Sequence, residues 1–376
     1  MKNRVAGRVA TASFVAISFA SLAVPAQAGE KIANSYICVF KADAVGKADV
    51  PAKARAAAQA NGGAVSHVYR NSIRGFSANI SEAGMNAMRR SNPNIAYCEQ
   101  DQVMSLVVAA KGKPGGGTAT QPPQEKPWGI TRVNGGGAAP TGGFATAWVI
   151  DTGIDSDHPD LNVDTARSRN FVARETSPED LNGHGTHVSG TIAALDNTIG
   201  VIGVAPGAPV VAVRVLDRRG SGSNSGVIAG VDYVAANGKA GDVANMSLGG
   251  GVSTALDAAV VKASATVRFA LAAGNESDDA NNHSPGRANG PNIFTVSAFS
   301  NGDRWASFSN YGNPPVDYAE PGVSIKSTWK DGGYNTISGT SMATPHLAGL
   351  MLAGAVRTGG TVIGDPAGPA DVIGVH

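Results

Sequence analysis

Short apolar runs that alternate with helical patterns constrain the fold of this chain more than any other feature. The runs contain few charged residues and lie at 145–150, 210–216, 243–248, 268–273 and 293–298. Such runs are typical of strands buried on both faces of a sheet. Helical patterns lie at 183–195, 225–237, 253–264 and 341–355. This alternation predicts an α/β fold with a doubly wound, mostly parallel sheet.

The first part of the chain predicts a smaller α+β unit. Strand patterns lie at 36–40, 65–69, 75–80 and 95–103, and helical patterns at 52–60 and 81–90. The resulting order, β-α-β-β-α-β, is that of a ferredoxin-like domain. In that topology the first and last strands are neighbours, so Cys38 and Cys98 could form a disulfide in an exported protein.

The N-terminus predicts export. Basic residues up to Arg8 precede an apolar segment at 11–22, and Ala26-Gln27-Ala28 offers a cleavage site, as in a secretory signal peptide. A membrane anchor is the alternative, but the apolar run is too short to span a bilayer. We therefore expect a signal peptide at 1–28 and a secreted protein, either extracellular or periplasmic.

A Gly- and Pro-rich stretch at 106–123 has the composition of an exposed linker and separates two halves of opposite charge. Residues 1–123 hold 14 Lys and Arg against 6 Asp and Glu, a net charge of +8, whereas residues 124–376 hold 16 against 23, a net charge of −7. The two halves could attract each other. A random scatter of surface charge plus a basic signal is the alternative. No basic cluster with interleaved aromatic residues suggests nucleic-acid binding.

Two polar residues stand where a parallel sheet would place a functional site. Asp151 ends the apolar run at 145–150, and sites in such sheets form beyond the carboxyl ends of the strands. A carboxylate there can orient an imidazole, although a turn-capping role is the alternative. His184 stands between Gly183 and Gly185, which allow close approach. It could instead be a structural histidine, or pair with His187 on a metal, but no third ligand is evident.

Ser341 and Asn275 complete the set of candidate catalytic residues. Ser341 lies among small residues before an apolar helix, and Pro345 places it in the first turn. Backbone N–H groups there favour a developing negative charge. Asn275 follows the run at 268–273, and its amide can donate to an oxyanion. The alternatives are a helix-capping serine and a turn asparagine.

The segments around these four residues together resemble the subtilisin family of serine proteases over about residues 124–350. The order Asp, His, Ser along the chain is that of subtilisin. The resemblance implies that Ser341 is the nucleophile, that His184 is the general base and then the general acid, and that Asp151 orients His184. Asn275 and the Ser341 backbone N–H would form the oxyanion hole. No catalytic cofactor is implied.

The front domain resembles the family's inhibitory propeptide more loosely. The resemblance therefore implies a self-processing zymogen with a signal peptide at 1–28, an inhibitory propeptide at 29–105, a linker with the processing site at 106–123 and a peptidase domain at 124–376. The expected partners are protein or peptide substrates and the chain's own propeptide. We expect a monomer with no nucleic-acid or membrane partner.

Two glycine-rich segments resemble the edges of the family's substrate cleft. They are Gly220-Ser221-Gly222 and Ser247-Leu248-Gly249-Gly250. Edges of this kind leave backbone groups free to pair with an extended peptide. The alternative is that both segments are simple glycine turns.

The resemblance also implies a structural calcium site. Side-chain oxygens would come from Gln124, Asp160 and Asn197, and carbonyl oxygens from Leu195, Ile199 and Val201. An all-oxygen set of this kind suits Ca²⁺. The competing possibility is a loop that holds no ion. Because the site needs Gln124 in the mature enzyme, processing is expected between about Val103 and Pro123.

Some features depart from the family or suggest other functions. Only 35 residues follow Ser341, the end at 359–376 has no clear helix, and the segment at 277–291 aligns too poorly to give a side-chain preference. A non-catalytic relative would need a broken triad. Gly339-x-Ser341-x-Ala343 resembles the nucleophile turn of α/β-hydrolase esterases, but in that class Asp and His follow Ser. Only Asp365, Asp371 and His376 do so here.

Overall fold

A computed structural model describes residues 29–107 and 121–376 of the chain. The predicted signal peptide at 1–28 and most of the predicted linker, 108–120, lie outside the described residues. Within the two described ranges, no helix combines the length and the apolar character needed to cross a membrane.

The front unit contains four strands and two helices in the predicted order. They are β1 (Lys31–Phe40), α1 (Val50–Gln59), β2 (Ala64–Tyr69), β3 (Gly75–Asn79), α2 (Glu82–Ser91) and β4 (Ile95–Leu106). The strands are antiparallel in the order β4-β1-β3-β2. The Ser81 hydroxyl begins α2 by accepting a hydrogen bond from the backbone N–H of Gly84. Cys38 and Cys98 lie opposite each other on β1 and β4 and form a disulfide.

The back unit contains the remaining elements. They are α3 (Trp128–Arg132), β5 (Ala147–Asp151), β6 (Arg169–Asn170), α4 (His184–Ala193), β7 (Val210–Arg214), β8 (Ser221–Ser223), α5 (Asn224–Asn237), β9 (Val243–Met246), β10 (Leu248–Gly249), α6 (Thr254–Ala263), β11 (Arg268–Ala272), β12 (Ile293–Ser300), β13 (Arg304–Trp305), β14 (Val316–Pro321), β15 (Ile325–Trp329), β16 (Gly333–Ile337), α7 (Thr340–Ala353), β17 (Arg357–Thr361) and β18 (Val372–Val375).

The main sheet has the predicted parallel architecture at its centre. Its strand order is β17-β18-β14-β12-β11-β9-β5-β7-β6, and all pairs from β18 to β6 are parallel. The carboxyl ends of β5, β9 and β11 therefore lie side by side at one edge of the sheet. Asp151, the last residue of β5, lies at this edge, and so do Ser247 and Asn275, which follow β9 and β11.

Alternate side chains of each central strand enter two cores on opposite faces of the sheet. Trp148 and Ile150 pack with α5 and α6 on one face, whereas Ala147 and Val149 pack with α4 and α7 on the other. Each fully buried large aliphatic side chain contributes about 1.5–3 kcal/mol relative to an exposed one. Burial on both faces explains why the strands lack the polar alternation of a half-exposed sheet.

The end of the chain forms strands rather than a helix. β17 and β18 make an antiparallel hairpin, and β18 adds to the sheet in parallel beside β14. Asp371, just before β18, accepts a 2.5 Å hydrogen bond from the Ser297 hydroxyl. The Gly-rich composition of the hairpin gave no strand pattern, so the sequence did not predict it.

The predicted linker at 106–123 was too long at both ends. Leu106 is the last residue of β4. On the far side, the Pro122 carbonyl accepts from Gly200 N at 2.8 Å, and Pro123 makes an antiparallel bridge with Ile199. Pairing with other strands and loops orders these residues despite their linker-like composition.

Candidate active site

Asp151 and His184 form a buried hydrogen-bonded pair. Asp151 is the last residue of β5 and His184 the first of α4. His184 Nδ1 lies 2.8 Å from Asp151 Oδ1, and the two side chains are 1% and 0% exposed. Because the Asp151 carboxylate can only accept a hydrogen bond, Nδ1 of the neutral imidazole carries the proton and Nε2 has the lone pair. No described residue makes a hydrogen bond to this Nε2, which leaves it available as a base.

Two glycines allow the His184 helix to begin where it does. Gly183 has a φ of 110°, and a Cβ on it would collide with the Trp329 ring. A Cβ on Gly185 would collide with the carbonyl oxygen of Gly153, beside Asp151. The predicted need for close approach on both sides of His184 is therefore met by backbone geometry.

Asp180 ties the Asp151 strand to the His184 helix, and the sequence analysis missed it. Its Oδ1 accepts from Thr152 Oγ1 at 2.9 Å, Asn182 N at 2.9 Å and Gly183 N at 2.8 Å. Its Oδ2 accepts from Thr186 N at 2.9 Å and Thr186 Oγ1 at 2.7 Å. The available signal was an acidic residue just ahead of a helix start, where carboxylates satisfy free N–H groups.

Ser341 is the second residue of α7 and is fully buried. Its hydroxyl donates to the Ser247 carbonyl at 2.9 Å, so in this structure it is not bonded to His184. Helices α4 and α7, which carry His184 and Ser341, pack against each other. The structure thus joins Asp151 to His184 directly, and joins Ser341 to the residue that follows the neighbouring strand β9.

Pro345 lies inside α7 rather than in its first turn, which corrects the prediction from the sequence. A proline at this position cannot donate to the carbonyl four residues earlier, that of Ser341. The Ser247 hydroxyl replaces the missing donor at 2.9 Å. Ser247 and Ser341 therefore exchange two hydrogen bonds, which fix the first turn of the helix against the sheet edge.

Asn275 presents a free amide N–H₂ group near the same helix end. Its Oδ1 accepts from Thr340 N at 2.9 Å and from Thr340 Oγ1 at 3.0 Å. Because the backbone N–H can only donate, the atom that faces it is the amide oxygen. The Nδ2 atom is buried and makes no hydrogen bond within the described parts of the chain.

The two predicted cleft edges hold the last strand of the front unit between them. Val103, Met104 and Ser105 pair antiparallel with Ser223, Gly222 and Ser221 of β8. Ser105 and Leu106 pair antiparallel with Gly249 and Leu248 of β10. Both glycine-rich segments therefore pair through their backbone with an extended segment of the same chain. That they bind substrate stays a prediction.

Carboxylates make further contacts between the two units. Asp101 accepts from Ser225 N at 3.0 Å, at the start of α5. Glu99 accepts from Ala255 N at 3.3 Å, at the start of α6, and from the Ser253 hydroxyl. In the other direction, Asp232 of α5 accepts from the backbone N–H groups of residues 70–72 at 2.6–2.9 Å. Helix N-termini favour such anionic partners.

The six predicted calcium ligands are linked in one cluster, in which Leu195 N donates to the Asp160 carbonyl at 3.0 Å. Gln124 Nε2 donates to the Leu195 carbonyl at 3.2 Å, and Asn197 Nδ2 donates to Asp160 Oδ1 at 2.8 Å. Val201 N donates to Asp160 Oδ2 at 3.1 Å, and Ile199 N donates to Asn197 Oδ1 at 2.7 Å. The residues fit a hard cation in composition, but both amides would have to turn their oxygens inward.

The Asp160 carboxylate is buried in this cluster, and burial raises its pKa to about 6. Among the described residues no lysine or arginine forms a salt bridge with it. A buried carboxylate without a cationic partner is costly, so a bound cation would be stabilising here.

His187 has a structural environment. Its Nε2 atom lies 3.0 Å from the Ile325 carbonyl, and burial lowers its pKa to about 3. Its Nε2 therefore donates to a carbonyl and does not face a metal site shared with His184.

Comparison with known proteins places the chain in a family. The model of the subtilase family matches residues 147–354, and this chain belongs to that family. A curated relative, alkaline serine exoprotease A of Vibrio alginolyticus, is 45% identical over 298 residues, 76% of this chain. The chain spans about half, 52%, of the length of that relative.

Other relatives are covered more completely. Subtilisin E of Bacillus subtilis (strain 168) is 38% identical over 344 residues, 89% of this chain and 83% of the relative. A solved structure described as a cold adapted subtilisin-like serine proteinase superposes with a TM-score of 0.58 at 43% identity. That match covers 65% of this chain and 96% of the other.

Proposed function

We propose that this chain is a secreted serine endopeptidase that acts through an acyl-enzyme on Ser341 and is made as a self-processing zymogen. The observation that carries the proposal is the sheet edge where the buried pair of Asp151 and His184 meets the elements that carry Ser341 and Asn275. Membership of the subtilase family supports the same chemistry.

The proposed mechanism begins with rotation of the Ser341 hydroxyl from the Ser247 carbonyl to His184 Nε2. His184 takes the hydroxyl proton as Ser341 Oγ attacks the carbonyl carbon of the substrate, and Asp151 stabilises the resulting imidazolium. His184 then gives the proton to the leaving amine. Water hydrolyses the acyl-enzyme by the reverse sequence of proton transfers.

The developing oxyanion would be bound by two preorganised donors. One is Asn275 Nδ2, whose orientation is set by Thr340. The other is the backbone N–H of Ser341, which lies in the first turn of α7 and has no acceptor within the helix. Donors that are already fixed cost no reorganisation when the charge appears.

The front unit would be a ferredoxin-like inhibitory propeptide. Its strand β4 occupies the cleft between β8 and β10, where a substrate would bind, and its carboxylates bind the N-terminal ends of α5 and α6. In this proposal the propeptide assists folding, blocks the site until it is degraded, and leaves a monomeric enzyme for protein or peptide substrates. The signal peptide at 1–28 directs the precursor out of the cell.

The cluster around Asp160 would hold a structural Ca²⁺. The ion would neutralise the charge of the buried carboxylate and hold the loop that follows α4 in place. With a Ser341→Ala protein, removal of calcium by a chelator is expected to lower the melting temperature. The same treatment of an Asp160→Asn protein should change it little. Equal effects on both proteins would argue against the site.

The proposal is tested by secreting the wild type beside Ser341→Ala. The wild type should lose the front unit and then digest casein, whereas the alanine variant should remain at full precursor length and be inert. A Ser341→Ala protein that matures in a protease-free host would contradict self-processing. A folded wild type without casein hydrolysis would contradict the peptidase function itself.

A further inference from the structure

The register of β4 in the cleft determines which of its residues faces the nucleophile. Ser105 pairs with Gly249 and Leu106 pairs with Leu248, so in this antiparallel pair each step forward on β4 is one step back on β10. The observed pairs end there, and the same register continued by one step would bring Val107 opposite Ser247. Ser247 is the residue whose carbonyl accepts the Ser341 hydroxyl at 2.9 Å. The backbone of Val107 therefore reaches the sheet edge beside Ser341.

Pairing on the other side of the cleft gives the same alignment. Leu106 N donates to the Gly220 carbonyl at 3.1 Å, and Gly220 directly precedes β8. Leu106 thus pairs with both edges of the cleft. The next residue, Val107, follows at the end of the cleft where Ser341 lies. Two independent hydrogen-bonding edges place Val107 there.

The side chain of Val107 is buried in the cleft. Val107 is 6% exposed. A Cβ on Gly249 would lie 3.1 Å from Val107 Cγ2, so the valine packs directly over this glycine. Three residues earlier, Met104 is fully buried in the apolar core beneath β8, which fixes the strand against sliding. A slip by one residue would lift Met104 out of that core.

We propose that the first maturation cut falls on the carboxyl side of Val107, and that the subsite over Gly249 accepts an uncharged aliphatic side chain. This inference rests on the proposed function and narrows the processing region predicted from the sequence to one bond. Ser341 Oγ forms an ester with the Val107 carbonyl as the bond to the following nitrogen breaks, and that nitrogen takes the proton from His184. One water molecule then releases the front fragment with Val107 as its carboxyl terminus.

The experiment follows the wild-type precursor by intact-mass spectrometry during maturation. The earliest released front fragment should end at Val107, and the partner fragment should begin at Val108. Later trimming can change the amino terminus of the second fragment, and degradation of the front unit follows the first cut, so the carboxyl terminus of the earliest front fragment is the decisive readout. A first fragment that ends elsewhere overturns the inference and leaves the peptidase function intact.

A pair of variants tests the subsite. Val107→Asp places a charge where the cleft is apolar, and burial of an unpaired charge should slow the first cut by at least about tenfold. Val261→Asp, at a valine that is 42% exposed on α6, is the matched control and should mature at the wild-type rate. Equal rates for both variants would contradict the subsite. A wild type that neither matures nor digests casein would instead refute the proposed function.

Discussion

Asn275 offers the sharpest test of how the site stabilises negative charge. Its Nδ2 is buried, and it makes no hydrogen bond to any residue of the described ranges, whereas its Oδ1 is held by two donors of Thr340. Asn275→Ala removes one of two oxyanion donors and leaves the backbone N–H of Ser341 in place. Loss of one such donor costs about 10²–10³ in kcat, or about 2.7–4 kcal/mol, a range established on a subtilisin. We expect a loss of this size in kcat with KM nearly unchanged.

A second variant separates catalysis from stability. Asn275→Ala also leaves Thr340 without its acceptor, which should lower the stability by about 1 kcal/mol for each lost hydrogen bond. Asn275→Asp keeps the acceptor but loses the donor, so it should lose kcat without that loss of stability.

Both proteins would be matured by immobilised wild-type enzyme and assayed on a chromogenic peptide, with the exposed Asn281→Ala as control. A kcat for Asn275→Ala within tenfold of the wild type would refute the oxyanion role.

The remaining predictions concern positioning, pH and the disulfide. Asp180→Asn replaces a carboxylate oxygen that accepts hydrogen bonds from N–H and O–H groups, so kcat should fall about 10–100-fold and the acidic limb of the kcat/KM pH profile should move. An unchanged profile would refute a role of Asp180 through His184. The exposed Asp331→Asn is the control. Burial lowers the pKa of His187 and His346 from 6.5 to about 3 and about 4, so the unfolded chain binds protons that the folded chain does not. Each histidine therefore contributes stability that is full above pH 6.5 and falls as the pH drops towards 4, by up to about 1.4 kcal/mol per pH unit, whereas carboxyl groups whose pKa is raised, such as Asp160, act in the opposite direction over the same range. The test is therefore the difference in melting temperature between Ser341→Ala and Ser341→Ala with His187→Gln, which should shift in favour of the glutamine protein as the pH falls from 6.5 to 4; a constant difference would contradict this. The Cys38–Cys98 disulfide closes a loop with a sequence separation of 60, so adding Cys38→Ala and Cys98→Ala to the full-length Ser341→Ala precursor should destabilise its front unit by about 4 kcal/mol in urea unfolding, and an unchanged midpoint would contradict this.

Much of the fold followed from the sequence because burial on both faces leaves a clear pattern. The apolar runs that end at Asp151 and before Asn275 are strands of the sheet, and the helices that begin near His184 and Ser341 are present. Their bounds differ by a few residues, as expected where helix and strand ends are set by capping and pairing.

The features that the sequence did not give depend on distant partners. The hairpin of β17 and β18 is held by the pairing of β18 with β14. The sequence of Arg357–Thr361 has no strand pattern that would predict this pairing. Asp180 lies four residues before His184 but acts through Thr152, which is distant in sequence. The position of Pro345 inside α7 depends on Ser247, which supplies the donor that the proline lacks. Each of these needs a contact that no local pattern describes.

The central claim is that His184 activates the hydroxyl of Ser341, and active-site labelling tests it most directly. A fluorophosphonate reacts with a serine hydroxyl that a neighbouring base has activated. On matured wild type we expect one adduct, located on Ser341 by peptide mass spectrometry, and at least about a 100-fold slower reaction for His184→Ala that has been matured by immobilised wild-type enzyme. Labelling of Ser341 at the same rate in both proteins, or an adduct on another serine, would contradict the account.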